Sequence, residues 1–251
     1  MRIILSPAKK MNVENDDFTA ESMPVFLPKT EVLLKRMREM TAEELKKLWK
    51  CNDSIAQLNQ ERIRTMDLYQ NLSPAVFTYD GLAYKYLSAG SMTTDELEYI
   101  REHLCILSGF YGVLRPFDGV VPYRLEMQSI LSADGCRDLY EFWGDTLYRE
   151  VVKDDHCIID LASKEYSRCI REYLSPEDRY IEVIFGELDG EKVIQKGTMA
   201  KMARGSMVRF MAEQQIKEPE QLKLFNLHYR FSEERSTDTE YVFLRKQNRK
   251  I

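Results

Sequence analysis

Lys192, Lys196, Lys201, Arg204 and Arg209 fall in a stretch, Lys192 to Ala212, that holds no acidic residue, in a chain whose net charge is −5. On a helix from about Thr198 to Gln215, successive residues turn by ~100°, so Met199, Ala203, Ser206 and Phe210 line one side. Lys201, Arg204 and Arg209 then share the opposite arc, roughly 140° wide by the same arithmetic. Gly205 lies inside that arc. A glycine there costs about 1 kcal/mol of helix stability against alanine, but it leaves the backbone open to a ligand. Arg can grip two phosphate oxygens and Lys adds a point charge, so the chemistry on offer is anion binding. Most charged helix faces are solvated surface; the missing acidic partners set this one apart.

A second stretch runs from Leu107 to Met127 and is rich in glycine, tyrosine and arginine. Helix-hairpin-helix modules use a glycine-containing hairpin after a helix to present backbone N–H groups to a DNA phosphate. Leu104, Leu107, Gly109 and Gly112 approximate that pattern, with the second glycine one residue late. Arg115 and Arg124 can reach anions, or can pair with Asp118 and Glu126. Tyr111 and Tyr123 can stack on bases, although packing is the commoner role for tyrosine beside glycine and proline.

The third stretch, Asp160 to Tyr166, reads as a strand end entering a helix or turn, where α/β folds often place ligands. Ser163, Glu165 and Tyr166 are its polar candidates. No G-x-S-x-G elbow surrounds Ser163 and no histidine base is evident, so a nucleophilic role is not supported and helix capping fits better. Catalytic residues are therefore not assigned. The five cysteines and three histidines show no C-x-x-C or H-E-x-x-H spacing, so neither a metal nor a cofactor is expected, and the thiols read as reduced and partly buried.

These residues must be positioned by elements that the pattern also reveals. Arg2 to Ser6 reads as a short buried strand ending in a turn with two cations, Lys9 and Lys10. Residues 30–64 look helical, with a capping box at Thr41 and Glu44; a second box at Thr93 and Glu96 opens another helix. A helix is predicted over about 137–152. Strands are predicted at Cys157 to Leu161 and Glu240 to Arg245, with a hairpin joining Tyr180–Phe185 to Glu191–Gln195. Interspersed helices and strands with a hairpin predict an α+β or mixed α/β domain with a mixed sheet and surrounding helices. No linker or repeat divides residues 1–251, so one domain is expected. No G-x-G-x-x-G or P-loop pattern follows a strand.

Composition sets the outer limits. At 44% hydrophobic and 31% charged residues the chain reads as soluble and globular. No apolar run approaches the ~20 residues that span a bilayer, and the first residues turn polar too quickly for a secretory signal. A cytoplasmic location without membrane association is expected. The acidic balance requires any nucleic-acid affinity to come from a local patch.

Read in order, these segments resemble the YaaA family of peroxide stress resistance proteins across nearly the whole chain. The resemblance rests on Leu5–Lys9, Leu107–Pro116, Pro122–Met127, Leu139–Asp145, Leu161–Ser163 with Glu165 and Tyr166, Ala200–Lys201, Ala203–Gly205, and Arg209–Phe210. It implies a cytosolic protein that limits peroxide- and iron-dependent DNA damage, with an unusual α/β fold, a basic cleft and a helix-hairpin-helix element, here placed at 104–116. Carried over by residue, the cleft would involve Lys9, Arg115, Arg124, Lys201, Arg204, Gly205 and Arg209. Ser6, Ser163, Glu165 and Tyr166 would be its other polar residues. The chain departs from the family pattern at Asp80, Leu82 and Asp160, and the acids at Asp80 and Asp160 lower the expected positive potential. The leading expectation is binding of duplex or branched DNA by phosphate contacts, with structure rather than sequence preference. The alternative is an enzyme acting on a nucleotide or other phosphorylated small molecule in the same cleft, with Glu165 as base. The sequence does not specify an oligomeric state.

Overall fold

The computed structural model describes residues 1–13 and 18–246. The chain opens with β1 (Arg2–Leu5), then α1 (Leu27–Arg38), α2 (Ala42–Trp49) and α3 (Asp53–Thr65). Next come β2 (Ser73–Pro74), α4 (Ala75–Thr78), α5 (Leu82–Leu87) and α6 (Thr94–His103). The middle holds β3 (Leu104–Ser108), β4 (Gly112–Leu114), β5 (Gly119–Val120), α7 (Leu139–Trp143) and α8 (Thr146–Val152). The last part contributes β6 (Cys157–Leu161), α9 (Lys164–Arg171), β7 (Arg179–Asp189), β8 (Lys192–Ile194), α10 (Gly197–Glu213), β9 (Tyr229–Phe231) and β10 (Glu240–Arg245).

An eight-stranded sheet runs in the order β4-β3-β1-β6-β7-β10-β9, with β8 paired to β7. The five inner strands, β3, β1, β6, β7 and β10, are mutually parallel, and antiparallel partners close both sides. Parallel strands are covered on both faces, which is why they read as continuous apolar runs rather than alternations. Ile3, Ile4, Leu5, Ile158, Ile159 and Leu161 are all fully buried. The fold is thus the expected mixed sheet with surrounding helices.

Both capping boxes form: Thr41 accepts from the Glu44 N–H and Thr93 from the Glu96 N–H, opening α2 and α6. The single helical region predicted over 30–64 is instead three helices, because Thr41 and Asn52 each start a new one. The helix predicted over 137–152 breaks at Gly144 into α7 and α8. The predicted hairpin is β7–β8, with β7 longer than foreseen.

The candidate helix-hairpin-helix at 104–116 is corrected outright. Leu104–Ser108 is a fully buried inner strand paired antiparallel to Gly112–Leu114. Its glycines serve packing: a side chain at Gly109 would strike the backbone of Leu125 to Met127, and Gly112 turns the chain at φ +81°. An apolar run this continuous is claimed by the sheet, so its N–H groups are taken up by strand pairing, and those of Phe110 and Tyr111 in the turn donate to Ser108 Oγ.

Helix α10 also differs from its helical-wheel reading. Its supposed outer face packs on α5, and Gly205 is the contact: a Cβ there would lie 1.9 Å from the Ala83 carbonyl oxygen. The missing side chain is used by a neighbouring helix and is not left open to a ligand.

Candidate functional site

The order of the strands determines where a site can form. From β1 the chain travels to β3 on one side, whereas β6, on the other side of β1, leads away to β7. Connections leaving two adjacent parallel strands in opposite directions open a crevice at their carboxyl ends. Ser6 follows β1 and Ser163 follows β6, so both stand at that crevice. The Ser163 N–H donates to Ser6 Oγ at 2.8 Å and Ser6 Oγ donates to Ser163 Oγ at 3.2 Å. Tyr84 on α5 donates its hydroxyl to the Ser6 carbonyl at 2.9 Å. Ser163 occupies the position before α9, yet its side chain caps no helical N–H; the hydroxyl is held by Ser6 instead, against the capping expectation.

Above this seam lies a cavity of about 330 Å³. Its polar lining comprises Ser6, Lys9, Lys10 and Asp80 from the early chain, Tyr123, Arg124 and Glu126 from the central loop, Ser163, Glu165 and Tyr166 from the β6–α9 junction, and Lys201 and Arg204 from α10. Leu5, Leu82, Leu125 and Leu161 supply apolar wall.

The cations here are unequally compensated. Lys9 and Arg124 both pair with Glu126, at 2.6 and 3.1 Å. Lys10 and Lys85 share Asp80, whose carboxyl the Lys10 hydrogen bond holds below its ordinary range. Arg204 is different: among the described residues it makes no hydrogen bond and no ion pair within 4.0 Å. Burial depresses the Arg204 pKa, opposed by the charges of Asp160 and Glu182. Asp160 itself is buried beneath the cavity, where it accepts from the Ala162 N–H, Ser167 and Tyr180, and burial raises its pKa. The Nε atoms of Arg204 and Arg124 are both buried without a partner among the described residues. An unsatisfied buried donor costs roughly 1–3 kcal/mol. Lys201 is exposed at the mouth and has no partner among the described residues.

The acids divide as sharply. Glu126 carries two cationic partners. Glu165 has no ion pair among the described residues and accepts the Gln128 N–H at 3.2 Å. Burial raises the Glu165 pKa, the Gln128 N–H lowers it, and the nearby Glu126 charge raises it further. Tyr123, Tyr84 and Tyr166 are buried in the walls; burial pushes the Tyr123 hydroxyl up to about 12 and the other two also upward.

Of the residues singled out from sequence, Ser6, Lys9, Arg124, Ser163, Glu165, Tyr166, Lys201 and Arg204 come together in this cavity. Arg115 does not: it stands near the β4 edge, 57% exposed, with Glu150 at 3.9 Å. Arg209 also lies elsewhere, donating to the carbonyls of Leu87 and Ser88 and pairing with Glu213. Tyr111 and Tyr123 are buried, which matches the packing reading. The Tyr111 hydroxyl accepts the Val121 N–H, and Tyr123 bonds to Tyr79 and Ser108. The cysteines are all free, and burial lifts Cys105 to about 11 and Cys169 to about 12. Tyr84 was missed as a site residue. It sits on a six-residue helix with no capping signal, and only the packing of α5 against α10 carries it to Ser6.

A family model described as peroxide stress protein YaaA matches residues 1–235. The chain is 51% identical over 247 residues to a UPF0246 protein of Agathobacter rectalis, covering 98% of this chain and 99% of that one. It is 51% identical to a UPF0246 protein of Desulfitobacterium hafniense, with 98% of each chain covered. A UPF0246 protein of Pediococcus pentosaceus is 48% identical across 98% of this chain and 99% of its own length.

Proposed function

The chain belongs to the peroxide stress protein YaaA family, and from that premise we propose that it serves the peroxide stress response by binding DNA, with the cavity receiving one phosphate-bearing nucleotide. The observation that carries this reading is a pair of guanidinium groups, Arg124 and Arg204, lining one cavity with unpartnered buried Nε atoms, and Lys201 at its entrance. Guanidinium matches phosphate geometry, and the unsatisfied donors would gain partners only when an anion arrives.

The cavity argues against a long basic groove. Its volume lies at the small end of the ~300–1,000 Å³ usual for ligand pockets. A regular duplex does not enter such a space, whereas an unpaired or terminal nucleotide does, at less cost than one extracted from intact pairs. Recognition would then follow DNA structure and not sequence. Arg115 and Arg209, each paired outside the cavity, play no part in it.

A fluorescence-anisotropy comparison tests this directly, using a duplex with one unpaired nucleotide, the matched intact duplex and free deoxynucleoside monophosphates. The unpaired-nucleotide duplex should bind at least ~10-fold more tightly than the intact one, with affinity falling as salt rises. Equal binding of both duplexes removes the cavity from DNA recognition. Mononucleotides binding as tightly as the DNA would favour the second reading, an enzyme on a free phosphorylated small molecule, for which the enclosure and the unpaired Glu165 speak.

A further inference from the structure

Of the three carboxylates that line the cavity, Asp80 is paired with Lys10 and Lys85, and Glu126 and Glu165 stand under opposite conditions. Glu126 is clamped by Lys9 and Arg124, whereas Glu165 accepts only from backbone N–H groups, those of Gln128 and Met127, and has no cation paired with it. Carboxylates whose surroundings diverge in this way take different roles, the compensated one fixed as a charge and the other free to exchange a proton. Glu165 stands in the first turn of α9, two residues after the Ser163 that Ser6 holds, and forms no ion pair among the described residues.

We propose that Glu165 is the proton-transfer residue of a phosphoester hydrolase activity in this cavity. The proposal rests on the reading that the cavity binds a phosphate-bearing nucleotide. Arg124, Arg204 and Lys201 surround the place where charge on the non-bridging phosphate oxygens must be stabilised, so the reacting bond is at phosphorus and not at the base. The water oxygen forms a bond to phosphorus and the phosphorus–oxygen bond to the sugar breaks. Glu165 accepts the proton from the water and returns it to the leaving sugar oxygen. The products are a sugar hydroxyl and inorganic phosphate, with no redox partner required.

Burial and the Glu126 charge place the Glu165 pKa above its ordinary value, closer to the range in which one carboxyl can both accept and donate. The groups that face it are Glu126 and Lys9 from the neighbouring loops, Arg204 and Lys201 from α10, Tyr166 on its own helix, and Tyr140, whose hydroxyl donates to the Glu165 carbonyl at 3.0 Å. Of these, Glu126 raises the pKa and Lys9 lowers it.

Full-length protein would be incubated with deoxynucleoside 5′-monophosphates and with oligonucleotides ending in a 5′- or a 3′-phosphate, and released phosphate measured. Binding of the same probes would be followed in parallel by anisotropy or calorimetry. The wild type should release phosphate from at least one probe. Glu165→Gln should lose ~10²-fold or more in kcat, the usual worth of a general base, while binding within about threefold of wild type. Glu165→Asp should recover part of the rate, and the acid limb of the wild-type pH profile should disappear in Glu165→Gln. Binding without phosphate release by the wild type, or full turnover by Glu165→Gln, overturns the hydrolase while leaving the binding reading intact. Absence of binding to every probe overturns the binding reading, and the hydrolase with it.

Discussion

The two ends of the same parallel strands differ in how completely their charges are paired. At the amino ends of β1, β6 and β7, the Met1 ammonium pairs with Asp155, Arg2 with Asp154 and the Glu102 carbonyl, His156 with Asp178, and Arg179 with Glu220. Arg2 leaves its Nε unpaired but anchors both terminal nitrogens. At the carboxyl ends of β1 and β6, Arg204 has no ion pair, Lys201 has none and Glu165 has none, among the described residues. Residue types are alike at the two ends. Closed pairs consume their charge within the protein, whereas charges left without partners keep their interaction energy for something that arrives.

The comparison is most severely tested at Gly205, which sets the height of α10 over the cavity. Gly205→Ala must move the helix away from the Ala83 carbonyl and should cost about 1–3 kcal/mol or more, measured by chemical denaturation. A variant as stable as wild type would show that the two helices are not held in close contact. Next in size is the cavity itself. Lys201→Ala with Arg204→Ala should weaken binding of DNA bearing an unpaired nucleotide by ~10–100-fold, since each hydrogen bond to a charged group is worth roughly 1.5–3 kcal/mol. Unchanged affinity would sink the proposed division between the ends.

Smaller effects are expected where cations are already paired. Arg115→Ala and Arg209→Ala should each leave DNA affinity within about twofold, because exposed ion pairs contribute roughly 0–1 kcal/mol; a loss as large as the cavity variant's would return the site to a broad basic surface. The smallest change is at the amino pole. The Asp178 hydrogen bond raises the His156 pKa above 6.5, so the stability this contact adds is fully present below the unfolded pKa and fades as pH rises through the folded one. An NMR titration should find His156 above its ordinary value, and Asp178→Asn should return it there.

Much of the site could be read in the sequence. Ser6, Lys9, Ser163, Glu165, Lys201 and Arg204 were all legible, because strand ends, cation runs and polar residues after apolar strands carry local signals. What could not be read was which cations were already satisfied. Arg209 and Arg204 lie five residues apart on one helix, yet the first is engaged by Leu87, Ser88 and Glu213 and the second by nothing within ion-pair distance. Helical arithmetic gives direction only, and the partners come from residues far away in the chain.

The 104–116 segment shows the same boundary from the other side. Its glycines suggested a hairpin for phosphate, and its apolar run, Leu104 to Ser108, belonged to the inner sheet; burial of that run outweighed the glycine pattern.

The sequence by itself determined the elements and their chemistry: apolar runs that had to be inner strands, capping boxes that had to start helices, and an inventory of arginine, lysine and carboxylate. Local periodicity and side-chain type suffice for that. Only the tertiary structure decided that β1 and β6 become neighbours, so that Ser6 meets Ser163 across 157 residues, and that Arg204 is left half-buried with its Nε unpartnered while Arg115 is carried away. Strand order and close packing decide which charges meet, and no interval along the chain encodes that.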